Sequence, residues 1–341
     1  MRRPSPEARD NYRRPNRPIR RRELLLLAAA ATTQARATVA AEAKVPRIGF
    51  IQTGARRGSQ TFLDAFRDGL SAHGWDGGKL VVLGRWAEEH TERLPGIVKE
   101  VMDAGVAALV TVGTPATLAA ARATATTPIV LVGVDDPVAL GLVDSLARPG
   151  GNVTGLSLIS SEIIMKRLQL LREVVPRLHR LAVIVRGDPG LEQKLQDIHS
   201  DANGMGIEVL ALEAATGKAL DLAFMRLRAE HCDAIYVASG PLGPAKRAQI
   251  IALAADSALP AIYSFRAFPA DGGLMSFAAD YADLFRRAAG FVDKILEGAT
   301  PADLPIEPPR KFDLTINMKT AKALGLSFPP AILTGADEVI E

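Results

Sequence analysis

Buried-strand patterns alternate with helix patterns along most of this chain, and no other feature constrains the fold as much. Residues 45–52 (VPRIGFIQ) are apolar and β-branched with little polar alternation, which is typical of a strand buried on both faces. A helix pattern follows at 61–73, with apolar residues three and four apart, and Gly74 ends it. Repetition of this unit predicts an α/β fold with helices on both faces of a parallel sheet.

The alternation occurs twice. The first series has strand patterns at 45–52, 80–83, 107–112 and 129–134, with helix patterns at 61–73, 91–104 and 115–125. The second series follows Gly150-Gly151-Asn152, with strand patterns at 181–185, 207–212, 234–238, 261–264 and 274–277, and helix patterns at 163–175, 191–203, 220–230, 245–255 and 281–295. We therefore predict two doubly wound parallel-sheet lobes.

A late strand pattern at 312–317 follows a Pro-rich connector at 301–309, which suggests that the chain crosses between the lobes more than once. The predicted first lobe consists of residues 45–157 plus about 270–309. The predicted second lobe consists of residues 158–269 plus about 310–341. A hinge of several crossings would join them.

Residues 1–43 differ from the rest in charge. They hold ten arginines and four acids, and the whole chain has a net charge of +3, so residues 44–341 carry about −3. Nucleic-acid binding needs a basic surface on the folded body, and this charge balance disfavours it, so we predict no nucleic-acid partner. Arg21-Arg22, a short apolar run at 24–31 and small-residue cleavage sites at 35–37 and 41–43 follow the order of an export signal.

The apolar run of the leader is shorter than the roughly 20 residues of a membrane span. We predict export to the periplasm by the twin-arginine or the general route, and a mature protein that does not span the membrane. A basic tail on a cytosolic protein is the alternative.

Catalytic and metal-binding signatures are absent from the sequence. There is no GxxxxGK[ST], no HExxH, no GxSxG and no GxGxxG after the first strand pattern. The five histidines show no ligand spacing, and the single cysteine, Cys232, excludes an internal disulfide framework. We predict no catalytic residue, no metal and no cofactor.

Small polar residues follow the predicted strands, where open parallel sheets bind ligands. These loops are Thr53-Gly54, Gly113-Thr114-Pro115, Asp135-Asp136-Pro137, Arg186-Gly187-Asp188, Ser239-Gly240-Pro241 and Tyr263-Ser264. Thr114 before a proline predicts a helix start that either binds a carboxylate or serves as a plain cap. Asp136 is either an acceptor for a ligand ammonium or an N-cap. Tyr263 either stacks on a ligand or packs in the core, and Arg186 faces either an acidic ligand or solvent.

Several motifs carry a family resemblance. The most specific is the run LARPGGNVTGLS at 146–157, and others are GTPA at 113–116, GGLMS at 272–276 and KTAKALGL at 319–326. Over roughly residues 46–341 the chain resembles the substrate-binding proteins of ABC transporters, in the family that includes tryptophan-type amino-acid binding proteins.

The resemblance implies a type I periplasmic-binding fold that closes on a small carboxylate-bearing solute, an aromatic or branched amino acid. It also implies an ABC permease and its ATPase as partners, and we expect a monomer. The positions that match the family's ligand-binding residues are Thr53, Gly113, Thr114, Asp136, Ser157, Ser239, Tyr263 and Asp280.

The turn at Ser239-Gly240-Pro241 lacks the acid that many relatives carry, and Asp280 is the candidate to replace it. An enzyme on the same scaffold and the sensor domain of a transcription regulator are the alternative functions. The missing catalytic motifs disfavour the first. The export signal, which stands where a helix-turn-helix would be needed, disfavours the second.

Overall fold

A computed structural model describes residues 45–158, 161–185, 191–238 and 244–341. The leader predicted at 1–43 lies outside those residues. Among the helices of the described ranges, none has both the length and the apolar character needed to cross a bilayer. The described chain folds on two separate sheets, one in each of two α/β lobes.

The first lobe is built on a five-stranded parallel sheet. Its strands are β1 (Arg47–Gln52), β2 (Val81–Trp86), β3 (Ala108–Val112), β4 (Ile129–Val134) and β5 (Val153–Ser157), in the order β2-β1-β3-β4-β5. Three helices connect them: α1 (Arg56–Ala72), α2 (Leu94–Asp103), which a 3-10 turn at Thr91–Arg93 precedes, and α3 (Thr114–Ala123). The strand order reverses direction at the β1–β3 pair, which is where open α/β sheets form a ligand crevice.

Apolar residues on both faces of β1 explain why helices cover both sides of this sheet. Ile48 and Phe50 belong to one core, whereas Ile51 belongs to the core on the opposite face. Gly49 allows α2 to approach closely, because an added Cβ would lie 2.3 Å from Cγ1 of Val101. Full burial of each large side chain contributes about 1.5–3 kcal/mol to stability.

The second lobe is built on a seven-stranded sheet. Its strands are β6 (Arg180–Val185), β7 (Glu208–Glu213), β8 (Ala234–Val237), β9 (Ala261–Tyr263), β10 (Met275–Ala279), β11 (Phe312–Asn317) and β12 (Glu338–Ile340), in the order β12-β11-β10-β9-β8-β6-β7. Its helices are α4 (Ser161–Val174), α5 (Leu191–Gly204), α6 (Gly217–Ala229), α7 (Pro244–Asp256), α8 (Ala267–Ala270), α10 (Met318–Ala323) and α11 (Pro330–Thr334).

The prediction of two α/β lobes with parallel sheets is confirmed, and one strand pair departs from it, because β10 and β11 pair antiparallel. Between these two strands the chain leaves the second sheet, forms α9 (Tyr281–Leu296) and then re-enters beside β10 from the opposite direction. The other strand pairs of the described residues are parallel.

Helix α9 packs on the first lobe. The ring of Phe285 stacks on Phe62 of α1, with centroids 5.0 Å apart, and lies 5.8 Å from the ring of Phe50. Strand β10, by contrast, pairs with β9 and β11 in the second sheet. The predicted return to the first lobe at about residue 270 is therefore too early, because Met275–Ala279 still belongs to the second sheet and the chain crosses only after it, at Asp280.

The sequence patterns located most elements but missed four. β4 and β11 have the predicted bounds. Strand β5 was missed because it contains Gly155 at φ 133°, where an added Cβ would lie 2.1 Å from the carbonyl oxygen of Leu131. The elements α8, α11 and β12 have four, five and three residues, which is too short for a period to be recognised.

Candidate ligand-binding cleft

The carboxyl ends of the first sheet's strands provide one wall of the candidate site. Thr53 and Gly54 follow β1, and Gly113 follows β3. The hydroxyl of Thr53 donates to the carbonyl of Val112 at 3.1 Å. An added Cβ on Gly113 would lie 3.6 Å from Thr53 Oγ1. The structure thus brings the predicted residues Thr53, Gly54 and Gly113 together at the reversal in strand order.

The start of α3 differs from the prediction. Gly113, and not Thr114, is the N-cap, with φ 83° and ψ 160°. The backbone N–H of Gly113 donates to the carbonyl of Val132 at 2.9 Å. Glycine suits this position because it adopts a positive φ without steric cost. Thr114 is the first helical residue, half-buried beside backbone N–H groups that have no partner within a helix.

Two carboxylates expected as ligand acceptors cap local structure. Oδ1 of Asp136 accepts hydrogen bonds from the backbone N–H groups of Val138 and Ala139, both at 3.0 Å. Oδ1 of Asp280 accepts from the N–H of Asp283 at 3.0 Å and caps α9. The Asp136 carboxylate therefore caps a turn at 137–140 and not the helix that the N-cap interpretation expected, whereas Asp280 is a helix N-cap. A ligand contact by either residue stays a prediction.

Asp135 connects the first lobe to the second. Its Oδ2 lies 2.5 Å from Nζ of Lys194 at the start of α5. Both side chains remain partly exposed to solvent, so the pair contributes at most about 1 kcal/mol. Because Asp135 follows β4 and Lys194 belongs to the helix after β6, the pair can form only when the two lobes are close at this edge.

Three half-buried aromatic rings meet where α9 begins. Tyr281, its first residue, stacks on Phe62 of α1 with centroids 5.4 Å apart. The ring of Phe265, which follows β9, lies 6.0 Å from the ring of Tyr281. Phe62 belongs to the first lobe and Phe265 to the second. We call Phe62, Phe265 and Tyr281 the aromatic cluster, and such a surface favours stacking of another planar ring.

The phenol of Tyr281 lies among charged groups at the lobe boundary. Burial raises its pKa, the Asp135 carboxylate raises the pKa further, and the Arg167 guanidinium lowers it. The phenol therefore stays protonated at neutral pH and is available as a hydrogen-bond donor. An added Cβ on Gly133 would lie 3.8 Å from Oη of Tyr281, so this glycine of β4 leaves room for the phenol.

Arg167 of α4 is a cation on the buried face of its helix. It is only 7% exposed. Its Nε donates to the carbonyl of Phe277 at 2.7 Å, and its Nη1 donates to Oη of Tyr236 at 2.8 Å. The strand-end patterns do not identify Arg167 as a site residue, although the sequence contains a signal for it. Ile163 and Leu171, four residues before and after it, are core residues, and that spacing places the arginine on an apolar face.

Two further predicted positions are buried. Tyr263 is 1% exposed and stacks on Phe268 with centroids 4.3 Å apart, which confirms the packing interpretation. Ser157 is fully buried at the end of β5, and its hydroxyl has no hydrogen-bond partner among the described residues. Oε1 of Gln52, at the end of β1, is also buried and has no hydrogen-bond partner among the described residues. Orphaned polar atoms beside a crevice are sites where a ligand or water binds.

The predicted residues Arg186 and Ser239 lie outside the residues that the structure describes. A separate groove of about 560 Å³ contains none of the predicted ligand residues, and its lining includes Lys166, Asp201 and the stacked rings of Phe277 and Phe312. Within the described ranges, no cluster of three His, Cys, Asp or Glu side chains is suited to a metal ion. The aromatic, acidic and basic groups at the lobe boundary are suited to reversible binding of a small amphipathic molecule.

Comparisons with known proteins agree with this architecture. Residues 48–340 match the model of a family described as ABC transporter substrate binding protein. A tyrosine-binding protein from Clostridioides difficile (strain R20291) is 30% identical over 216 residues, which is 63% of this chain. The matched region spans 62% of that relative, which is less than two thirds of its length.

Two solved structures have the same fold. An ABC domain in complex with L-Trp from Streptococcus pneumoniae superimposes with a TM-score of 0.79 at 23% identity, over 86% of this chain and 99% of that one. A conserved domain protein from Vibrio cholerae O1 biovar eltor superimposes with a TM-score of 0.79 at 26% identity, over 87% of this chain and 100% of that one. The two-lobed fold and the family match over nearly all of residues 46–341 lead to one conclusion: this chain belongs to the family of ABC transporter substrate-binding proteins.

Proposed function

We propose that this protein captures an amino acid with an aromatic or branched side chain between its lobes and delivers it to an ABC permease and its ATPase. The aromatic cluster is the observation that carries the proposal. It presents three half-buried rings at the strand ends, from the first lobe, the crossing and the second lobe. The tyrosine-binding relative and the L-Trp complex support the same class of ligand.

Polar groups around the cluster would hold the ligand's backbone. The hydroxyl of Thr114 lies at the start of α3, and the hydroxyl of Ser157 has no partner within the described residues. The phenol of Tyr281 is a third donor. A carboxylate is favoured next to a helix N-terminus because unsatisfied N–H groups and the helix dipole attract an anion there.

The protein would act by a shift in conformational population, without covalent chemistry. A ligand that contacts both lobes stabilises the closed form only to the extent that it binds this form more tightly than the open one. The ion pair between Asp135 and Lys194 adds a small contribution that is present only when the lobes are close. The leader at residues 1–43 would direct the protein to the periplasm, where such a receptor meets its solute.

A thermal-shift screen of the purified protein against the twenty amino acids and a set of organic acids tests this function. A ligand at 100 times its Kd stabilises the folded state by about 2.7 kcal/mol, which raises the Tm of a chain of this length by roughly 4 °C. We expect L-tyrosine, L-tryptophan or a branched amino acid to give a shift of that size, and its D-enantiomer to give none.

The Thr114→Ala variant should weaken binding about threefold to tenfold, because one hydrogen bond is lost. The proposal fails if no small molecule raises Tm. Turnover of a small molecule by the wild-type protein would instead favour the enzyme alternative.

A further inference from the structure

Arg167 is a buried cation without a carboxylate partner among the residues that the structure describes. Its exposed fraction is 7%. Its two hydrogen bonds go to neutral acceptors, the carbonyl of Phe277 at 2.7 Å and the phenol of Tyr236 at 2.8 Å. A guanidinium has five N–H donors, so three of them have no acceptor within the described ranges. Burial of a charged group whose N–H donors lack acceptors costs free energy unless an opposite charge compensates it.

The position of Arg167 indicates where that opposite charge would come from. Phe277 and Tyr236 are residues of β10 and β8, whose carboxyl ends face the lobe boundary. The charge of Arg167 also acts on the phenol of Tyr281, which belongs to the aromatic cluster. Phe277, whose carbonyl accepts from Nε, is four residues before Tyr281 along the chain, so the guanidinium is anchored next to the crossing that carries the aromatic cluster.

The acids identified at this boundary take part in contacts of their own. Asp135 also acts on the Tyr281 phenol, and its Oδ2 is paired with Lys194 at 2.5 Å. Asp136 and Asp280 use a carboxylate oxygen to cap local backbone. None of these three carboxylates forms an ion pair with Arg167 within the described residues.

We propose that Arg167 binds the carboxylate of the ligand. The inference rests on the proposed function, and it gives the anion a second partner, a buried side chain of the second lobe, beside the first turn of α3. A planar guanidinium binds a carboxylate through two parallel hydrogen bonds, which adds geometric selection to charge. The bound carboxylate would also link the second lobe to a side chain stacked on Phe62 of the first lobe, so ligand binding would favour closure.

Calorimetric titration of the full-length protein with an acid and its amide tests this assignment. The probes are L-tyrosine with L-tyrosinamide and L-tryptophan with L-tryptophanamide, each after removal of co-purified ligand by unfolding and refolding. Wild-type protein should bind the acid about 100-fold more tightly than the amide. Arg167→Gln should reduce this preference to below about threefold, mainly by weaker binding of the acid.

Arg172→Gln is the matched control, because Arg172 is an exposed arginine of the same helix that donates to the backbone carbonyl of Met205. This variant should keep the wild-type preference. If circular dichroism shows that Arg167→Gln is unfolded, the preference of the Arg167→Lys variant for the acid over the amide tests the assignment instead. A lysine keeps the charge but not the bidentate geometry, so the preference should fall about tenfold.

The outcomes separate the two proposals. A folded Arg167→Gln protein that keeps the full preference for the acid overturns the assignment of Arg167. Equal binding of acid and amide by wild-type protein overturns it too, while leaving amino-acid capture intact. Absence of binding to any amino acid overturns both.

Discussion

The two lobes use their polar side chains differently at the edge where they meet. In the first lobe, the hydroxyl of Thr53 donates to the carbonyl of Val112, and a carboxylate oxygen of Asp136 accepts from two nearby backbone amides. These short side chains satisfy the loops that carry them. In the second lobe, long side chains on helices reach away from their own backbone. Lys194 extends to Asp135 of the first lobe, and Arg167 extends to Tyr236 of β8 and Phe277 of β10.

This difference predicts which residues determine recognition of the ligand. A Ser, Thr or Asp at a strand end has a local acceptor or donor within reach, so local capping competes with ligand binding. Lys194 and Arg167 instead bond to residues far away in sequence, and such long side chains can reach several ångströms into a cleft. We therefore expect substitutions of the long or aromatic side chains to change affinity, and substitutions of the short capping residues to change stability.

The largest effect after that of Arg167 should come from the aromatic cluster. Tyr281→Ala removes the ring that contacts both Phe62 and Phe265. Loss of one stacking surface costs about 2 kcal/mol, so affinity for L-tyrosine should fall about 30-fold by calorimetry. Tyr281→Phe keeps the ring and should lose less than about fivefold. Wild-type affinity in the alanine variant would mean that the ligand binds elsewhere.

A smaller effect should follow from loss of the ion pair between lobes. Lys194→Ala removes the partner of Asp135 and should weaken ligand binding up to about fivefold, because the pair stabilises only the closed form. The difference from wild type should shrink in 1 M salt, where exposed charges are screened. Lys218→Ala, which changes an exposed lysine of α6, is the control and should not alter affinity. A difference that persists in 1 M salt would contradict an electrostatic origin.

Substitution of a capping residue should change stability and leave ligand affinity nearly unchanged. Asp136→Ala should lower the free energy of unfolding by about 1 kcal/mol, because two backbone N–H groups lose their acceptor. Asp136→Asn should preserve stability, since asparagine caps as well as aspartate. Ligand affinity should stay within about twofold of wild type in both variants. A tenfold loss of affinity in Asp136→Asn would instead show that this carboxylate binds the ligand's ammonium.

The sequence predicted the fold better than it predicted the site. Buried strands leave a local pattern in the sequence, whereas strand pairing and side-chain contacts join residues that are far apart in it. Continuous apolar runs such as Ile129–Val134 identify buried strands without any tertiary information. Whether Met275–Ala279 joins the first or the second sheet depends on pairing with β9 and β11, which local periodicity does not encode. The antiparallel insertion of β11 was missed for the same reason.

In the site, strand-end patterns located Thr53, Gly113 and Asp136 correctly at one edge of the first sheet. They could not distinguish a capping carboxylate from a binding one, because both require the same residue at the same place. Arg167 and Phe265 were missed because the strand-end rule examines small polar residues, whereas these side chains are long or aromatic. An arginine four residues from two apolar core positions was the available signal for Arg167.

Closure of the two lobes on an amino acid is the central claim, and a distance across the cleft tests it most directly. Cysteines introduced at the exposed positions Arg57 in α1 and Gln193 in α5 can carry spin labels. The native Cys232 is buried, and burial raises the pKa of its thiol to about 11, so it should not react at pH 7. Double electron–electron resonance measures the distance between the two labels. With saturating L-tyrosine or L-tryptophan, the distance distribution should be shorter and narrower than that of the ligand-free protein. An identical distribution with an amino acid that calorimetry shows to be bound would contradict closure.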